Sequence, residues 1–287
     1  MNLAFRELDN NDLADIKELS DSMGLLNSPK IGETASAYIH NSECLIYGAF
    51  LDDKLVGVGC LTEKTEKFAW IESIRVHGEY QKRGIGTALF NFGEELARSR
   101  NFEKIGFQTV TENKGSCRIG ELNRFQRGHE MVTFYLKHEH FPNLSEKYKT
   151  PTHIDAAEAI LFLNKISNGK MEEICIGWNY APLEKEYFES NPDMNFYIVS
   201  DSLLFEYLEK DSYTNKVAFI KGILYGSSKN IRDLLLDFIK RNAKWNKTLF
   251  CLCPEELSPN VLELNFKYGK VWNGGKNIVV AFTKKLH

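Results

Sequence analysis

Short runs rich in apolar, β-branched and aromatic residues at 2–8, 43–51, 54–63 and 68–76 predict four strands in the first part of the chain. Asp52-Asp53 joins the second and third of these as a short hairpin. Between the first two strands the spacing becomes helical over 12–23, with Asp12 as the N-cap, and over 33–40, with a polar connection Asn27-Ser28-Pro29-Lys30 between them. Ala88, Leu89, Phe92, Leu96 and Ala97 recur on one face of a third helix, 84 to about 100. A strand at 104–111, a helix at 115–126 and a strand at 130–137 follow.

The stretch between Glu139 and Pro151 is polar, holds two prolines and has no sustained period, so it reads as a linker. The expected organisation is a domain at 1–142, a linker at 143–152 and a second domain at 153–287. The second half is expected to carry helices near 156–167, 183–190, 230–241 and 259–268, among strands at 173–179, 195–200, 203–208, 216–224, 248–253 and 278–284. It repeats the later order of the first half. Lys104-Ile105-Gly106-Phe107 and Lys247-Thr248-Leu249-Phe250 open matching strands, and Phe125 to Gly128 and Phe266 to Gly269 close matching helices.

One constellation names a chemistry. The strand ending in Ile74, Arg75 and Val76 runs into Gln81-Lys82-Arg83-Gly84-Ile85-Gly86-Thr87, which opens the third helix. Gly84 and Gly86 let the backbone take φ > 0 and approach an anion, the unpaired N–H groups of a helix start hold phosphate oxygens, and Lys82 and Arg83 add charge. Leu89 stands where a dinucleotide fingerprint needs its third glycine, and there is no Gly-Lys-Ser or Gly-Lys-Thr, so neither that fingerprint nor a P-loop is present.

This Q-x-x-G-x-G after a strand, together with the order of elements around it, resembles the acetyl-CoA-binding motif of the GNAT superfamily of N-acetyltransferases over about residues 1–140. The resemblance implies a mixed, mostly antiparallel twisted sheet flanked by helices (an α/β, or α+β, fold), followed by a second, degenerate half of the same kind. It also implies acetyl-CoA as cofactor, with Ile74, Arg75 and Val76 on the pantetheine arm, Gln81 to Thr87 on the pyrophosphate, and Asn113 and Ser116 as the N-x-x-S pair that caps the next helix and contacts CoA. The second half's counterpart loop, Tyr225 to Asn230, is short, lacks the second glycine and should not bind CoA.

Acetyl transfer to an amine needs a base. Strand alternation places Trp70, Glu72, Ile74 and Val76 on one face, so the Glu72 carboxylate is expected in an apolar row whose desolvation would suit a general base. The segment Ile71 to Val76 also resembles that of spermidine/spermine acetyltransferases, where the proposed base lies. The tyrosine that often supplies the leaving-group proton in this family is absent: Arg124 occupies its place. The two-domain layout is loosely similar to that of the histidine N-acetyltransferase type, which implies a small-molecule amine acceptor such as an amino acid. Protein or peptide N-acetylation, and a non-catalytic acyl-CoA sensor or interaction protein, remain the alternatives.

Composition narrows the partners. A net charge of −3 gives no basic excess for general nucleic-acid binding, and no run of about 18 apolar residues offers a membrane span, so neither partner is expected and a cytoplasmic location is. The six cysteines are scattered singly and are expected to be reduced. No metal is expected: Cys251 and Cys253, like His138 and His140, offer two ligands where a structural zinc needs about four.

Overall fold

The computed structural model describes residues 2–23, 31–177, 180–210, 217–270 and 276–286. The expected polar connection 27–30 lies outside the described residues. The chain divides into two compact units, Met1–Gln108 with Lys114–Gly128 and Phe282–His287, and Thr109–Asn113 with His129–Ala281.

In the first unit the strands run in the order β1 (Ala4–Glu7), β2 (Cys44–Leu51), β3 (Lys54–Thr65), β4 (Phe68–Val76) and β5 (Lys104–Val110). The first four pair antiparallel. Asp52 and Asp53 both take positive φ (49° and 62°), the twist that closes a two-residue hairpin between β2 and β3. β5 joins β4 in parallel, which requires a crossover, and α3 (Ile85–Ser99) provides it.

Two helices, α1 (Leu13–Ser22) and α2 (Ile31–His40), cover one face of this sheet by burying Ile16, Leu19, Ile31 and Ala35 against Ile46, Val58 and Cys60. Asp12 precedes α1 without capping it through its side chain. Its buried carboxylate instead takes two hydrogen bonds from Arg6, at 2.8 and 2.6 Å, and one from the N–H of Asp9. α3 lies on the opposite face with Ile85, Leu89, Phe90 and Ala97 buried.

The first unit's aromatic core is completed by α4 (Lys114–Leu122) and by residues from the far end of the sequence. The expected helix over 115–126 stops at Leu122 because Arg124 turns the chain with φ 59° and Phe125 drops into the core between Phe90 and Phe107, at 5.2 and 5.5 Å. Phe282 is fully buried and stacks on Phe107, centroids 5.0 Å apart and planes 7° from parallel. Two residues on, Lys284 Nζ donates to Glu94 of α3 at 2.7 Å.

The second unit orders β6 (Gln126–Leu136), β13 (Leu249–Cys253), β12 (Val217–Gly226), β11 (Ser202–Lys210), β10 (Met194–Val199) and β7 (Thr152–Ile154). Its helices are α5 (Ala156–Ser167), α6 (Lys185–Glu189), α7 (Ile231–Asn242) and α8 (Ser258–Leu262). A two-strand pair, β8 (Glu173–Cys175) and β9 (Tyr180–Pro182), stands apart from the main ladder, while β14 (Lys267–Tyr268) pairs with β6 and β15 (Ile278–Lys285) ends the chain's strands. Leu234, Leu235 and Phe238 of α7 pack on Ile220, Leu224, Leu249, Cys251 and Cys253, so those two cysteines are core thiols.

The segment 143–152, expected as a linker, lies inside the second unit. Leu144 and Tyr148 pack on the α7 core, Tyr148 donates to Asp237 at 3.2 Å, and Glu146 pairs with Arg232 at 2.9 Å. Its polarity marked one solvated side of a docked strap. The chain passes into the main body of the second unit at 128/129, within β6.

Removing the Phe282 ring should open a cavity in the first unit and cost about 3–5 kcal/mol. Phe282→Ala in the full chain should therefore weaken hydrogen-exchange protection of α3 and β5 well before that of α7; equal loss in both would show that the ring does not belong to the first unit's core.

Candidate active site

β4 and β5 pair only at Phe68–Lys104, Ala69–Ile105 and Trp70–Gly106. Beyond Trp70 they part, and β4 continues to Val76 with ladder pairing, among the described residues, to β3 alone. The chain leaves β4 through a turn in which the buried His77 accepts the Glu79 N–H at Nδ1 (3.3 Å) and the Gly78 N–H donates to Ser22 at 3.0 Å. The Gln81 side-chain amide reaches back to the Val76 carbonyl at 3.3 Å. Lys82 takes φ 61° and Gly84 φ 83°, and Gly84 is the N-cap of the 15-residue α3. No side chain caps this helix and its first turn carries no acidic residue. The N–H groups of Ile85, Gly86 and Thr87 therefore face outward at the positive end of the helix dipole. Lys82 and Arg83 are exposed beside them, Arg83 donating to the Glu79 carbonyl at 3.1 Å.

Glu72 does not lie in the apolar row expected from alternation. Arg75 pairs with Val58 and Glu72 with Cys60, so three residues of β4 span two of β3, a bulge at whose centre Ser73 has φ 56°. Glu72 and Arg75 consequently share the face of Val58 and Cys60, under α1 and α2, while Val76 pairs with Gly57 on the α3 side. The surroundings of Glu72 are polar: Thr62 on β3 donates to its Oε1 at 2.5 Å. Tyr38 of α2 lies 3.2 Å from the Ser73 hydroxyl, and burial, reinforced by the charge of Glu72, pushes its phenol up to about 12. It stays protonated at neutral pH.

The family model described as "Acetyltransferase (GNAT) family" matches residues 14–119, a span that holds this loop, the bulge and Tyr38. Residues 14–119 are therefore similar to a GNAT acetyltransferase domain. Streptothricin acetyltransferase of Escherichia coli is 30% identical over 105 residues, which cover 35% of this chain and 60% of that one. The match thus spans three fifths of the relative's length. A candidate acetyltransferase from Thermoplasma acidophilum superposes over 99% of this chain and 100% of its own with a TM-score of 0.62 at 13% identity. One from Pyrococcus horikoshii does so over 99% and 90%, with a TM-score of 0.51 at 18% identity. At those identities the likeness is one of fold, and it extends through both halves.

The sequence-predicted residues divide into three groups. Ile74, Arg75 and Val76 stand on the part of β4 beyond the parting of β4 and β5, and Gln81, Lys82, Arg83, Gly84, Ile85, Gly86 and Thr87 form the turn and first helical turn. The Ile85 side chain is core, so only its backbone faces out. Ser116 lies in the first turn of α4, whereas Asn113 belongs to the short segment grouped with the second unit. Thr62, Tyr38 and Ser73 were missed. Thr62 sits ten residues from Glu72 and Tyr38 thirty-five from Ser73, and no sequence spacing signals a partner across a bulged ladder.

A pyrophosphate and its pantetheine arm fit these residues. The helix start offers uncapped N–H donors without an acidic neighbour, a Cβ at Gly84 would meet nothing within 4 Å, and the parted strands leave backbone edge for an amide-bearing chain. An added Cβ at Gly86 would touch only Val76 Cγ2, at 3.8 Å, so Gly86→Glu should fold normally while setting a carboxylate against the phosphates. We expect that variant to lose CoA binding by calorimetry with its melting temperature kept; micromolar binding in the folded variant would rule out this loop.

Proposed function

We propose that the protein transfers an acetyl group from acetyl-CoA to a primary amine, in a small molecule such as an amino acid, by direct attack with Glu72 as general base. The observation that carries this reading is the uncapped start of α3 behind the positive-φ residues Lys82 and Gly84, with Glu72 seated on the strand that leads into it. When bound, acetyl-CoA supplies a thioester carbonyl open to the amine. Thr62 holds Oε1 of Glu72, which leaves Oε2 to take the acceptor's proton. Backbone N–H groups of β4 beyond the parting supply donors for the carbonyl oxygen, a preorganised arrangement that needs no reorganisation as charge develops. With Gly128 taken as the glycine that ends the helix, Arg124, exposed in a positive-φ turn, stands at the position of the family's usual tyrosine, and Tyr38, protonated and beside Ser73, is our candidate for returning a proton to the leaving thiolate.

The acceptor assignment rests on a carboxylate, a phenol and a hydroxyl in a partly buried cluster, groups suited to an ammonium. No described helix is long and apolar enough to cross a membrane. All six cysteines are unpaired thiols, which supports the cytoplasm as the working compartment.

Glu72→Gln keeps the shape and the Thr62 bond but removes the basic site, so the chemical step should slow by about 10²–10⁴ with CoA affinity unchanged. The rate limb that rises with pH should flatten or move upward, because only amine already deprotonated in solution can then react. Near-parent turnover with an unchanged pH profile would demote Glu72 to a structural carboxylate. No turnover by the parent with amino acids, polyamines, aminoglycosides or peptides would favour the acyl-CoA sensor.

A further inference from the structure

The second unit holds a cavity of about 270 Å³ that acetyl transfer does not use. It lies on the sheet face opposite α7. Lys221 pairs in register with Phe250, Phe250 with Tyr135, and Leu252 with Thr133, so these side chains share that face, while the alternate residues Ile220, Leu249 and Cys251 belong to the α7 core. Two glycines keep its walls thin. Gly177 has φ 105°, and a Cβ there would strike the Lys221 side chain at 2.7 Å; a Cβ at Gly269 would overlap the Thr133 hydroxyl.

Its polar groups are few and specific. Lys221, nearly buried, pairs with Glu209 and lies 5.7 Å from the centre of the Tyr207 ring; Lys270 stands exposed at the edge. Two ammonium groups against one carboxylate leave one formal positive charge. Asn277 is 6% exposed, and its backbone is fixed: its N–H donates to the Gly269 carbonyl at 2.9 Å, and its carbonyl accepts from the N–H and hydroxyl of Thr133 at 2.9 and 3.0 Å. Its Oδ1, however, is buried without a hydrogen-bond partner among the described residues. An orphaned buried acceptor is costly, and a donor brought by a ligand removes the penalty.

We propose that this cavity binds a small apolar monocarboxylate bearing a neutral N–H, the chemistry of an N-acyl amino acid with an aromatic or branched side chain. The carboxylate meets the surplus positive charge of Lys221 and Lys270, the amide N–H supplies what Asn277 Oδ1 lacks, and Tyr135, Phe250 and Leu252 enclose the apolar body. Charge selects within the class. A free amino acid brings an ammonium that the site, with Glu209 already engaged, does not balance; a bare amine brings only the wrong sign.

Calorimetric titration of the full-length protein with N-acetyl-L-phenylalanine, L-phenylalanine and phenethylamine tests this. N-acetyl-L-phenylalanine should bind saturably, at least about tenfold tighter than the other two. Asn277→Leu, which replaces the orphaned amide by an apolar group of like shape, and Leu252→Trp, which fills the cavity, should each weaken it at least about tenfold while CoA affinity holds. Leu252→Trp decides alone if Asn277→Leu does not fold. The proposal is overturned by an absence of saturable binding at millimolar ligand, by equal affinity for the free amino acid, or by undiminished affinity in the folded variants, which would place the ligand elsewhere.

Discussion

Ser73 is the point on which the site geometry turns. A non-glycine residue at φ 56° inside a strand carries a local cost of order 1–3 kcal/mol, offset here by the Tyr38–Ser73 contact and by β3 pairing on both sides of the bulge. The extra residue reverses the alternation of everything after it. Glu72 and Arg75 both face α1 and α2, and Val76 faces α3. Without the bulge, Glu72 and Val76 would share a face. The carboxylate therefore reaches the helical face that carries Tyr38, while the end of the same strand still delivers the chain to the start of α3.

The corresponding helix start in the second unit is built differently. Gly226 leads into a turn whose polar groups are already engaged: Ser227 Oγ accepts the Lys229 N–H, Ser202 donates to the Ser227 carbonyl, and Asn230 donates to Asp201. Asp233 sits in the first turn of α7 and Asp201 beside its N-cap residue, so the local charge opposes an anion. α3 has no acidic residue in its first turn. The two helix starts thus differ in charge: no acidic residue stands in the first turn of α3, whereas Asp233 stands in that of α7 and Asp201 beside its N-cap residue.

Legibility followed the range of the interaction. The hairpin at Asp52-Asp53, the strands β1 to β4 and the glycine turn are decided by near neighbours, and all were readable. The bulge was not, because period two carries no mark for an extra residue and Ser73 is not a glycine. Asp12 looked like a cap, but a buried pairing with Arg6 took its carboxylate. The helix expected at 259–268 ends at Leu262, since Leu264 and Phe266 are drawn into the core and Lys267 and Tyr268 pair with β6. In each case a tertiary contact outbid local propensity.

The membership of residues 282–286 in the first unit sets an order on assembly. Phe107 and Phe125 can meet Phe90 as soon as the first 128 residues exist, yet one face of the Phe107 ring stays bare until Phe282 stacks on it. Loop-closure entropy makes that late contact slow, and an unfinished aromatic core is a surface for misassembly. Glu94 stands at the same place, taking hydrogen bonds from Arg98 within its own helix at 2.8 Å and from Lys284 at 2.7 Å. Arg98 can satisfy that carboxylate early, so the helix that opens at Gly84 does not wait with a bare buried charge for its last partner. The helix that follows the glycine turn is thereby held from within before the distant segment arrives to seal the core beneath it.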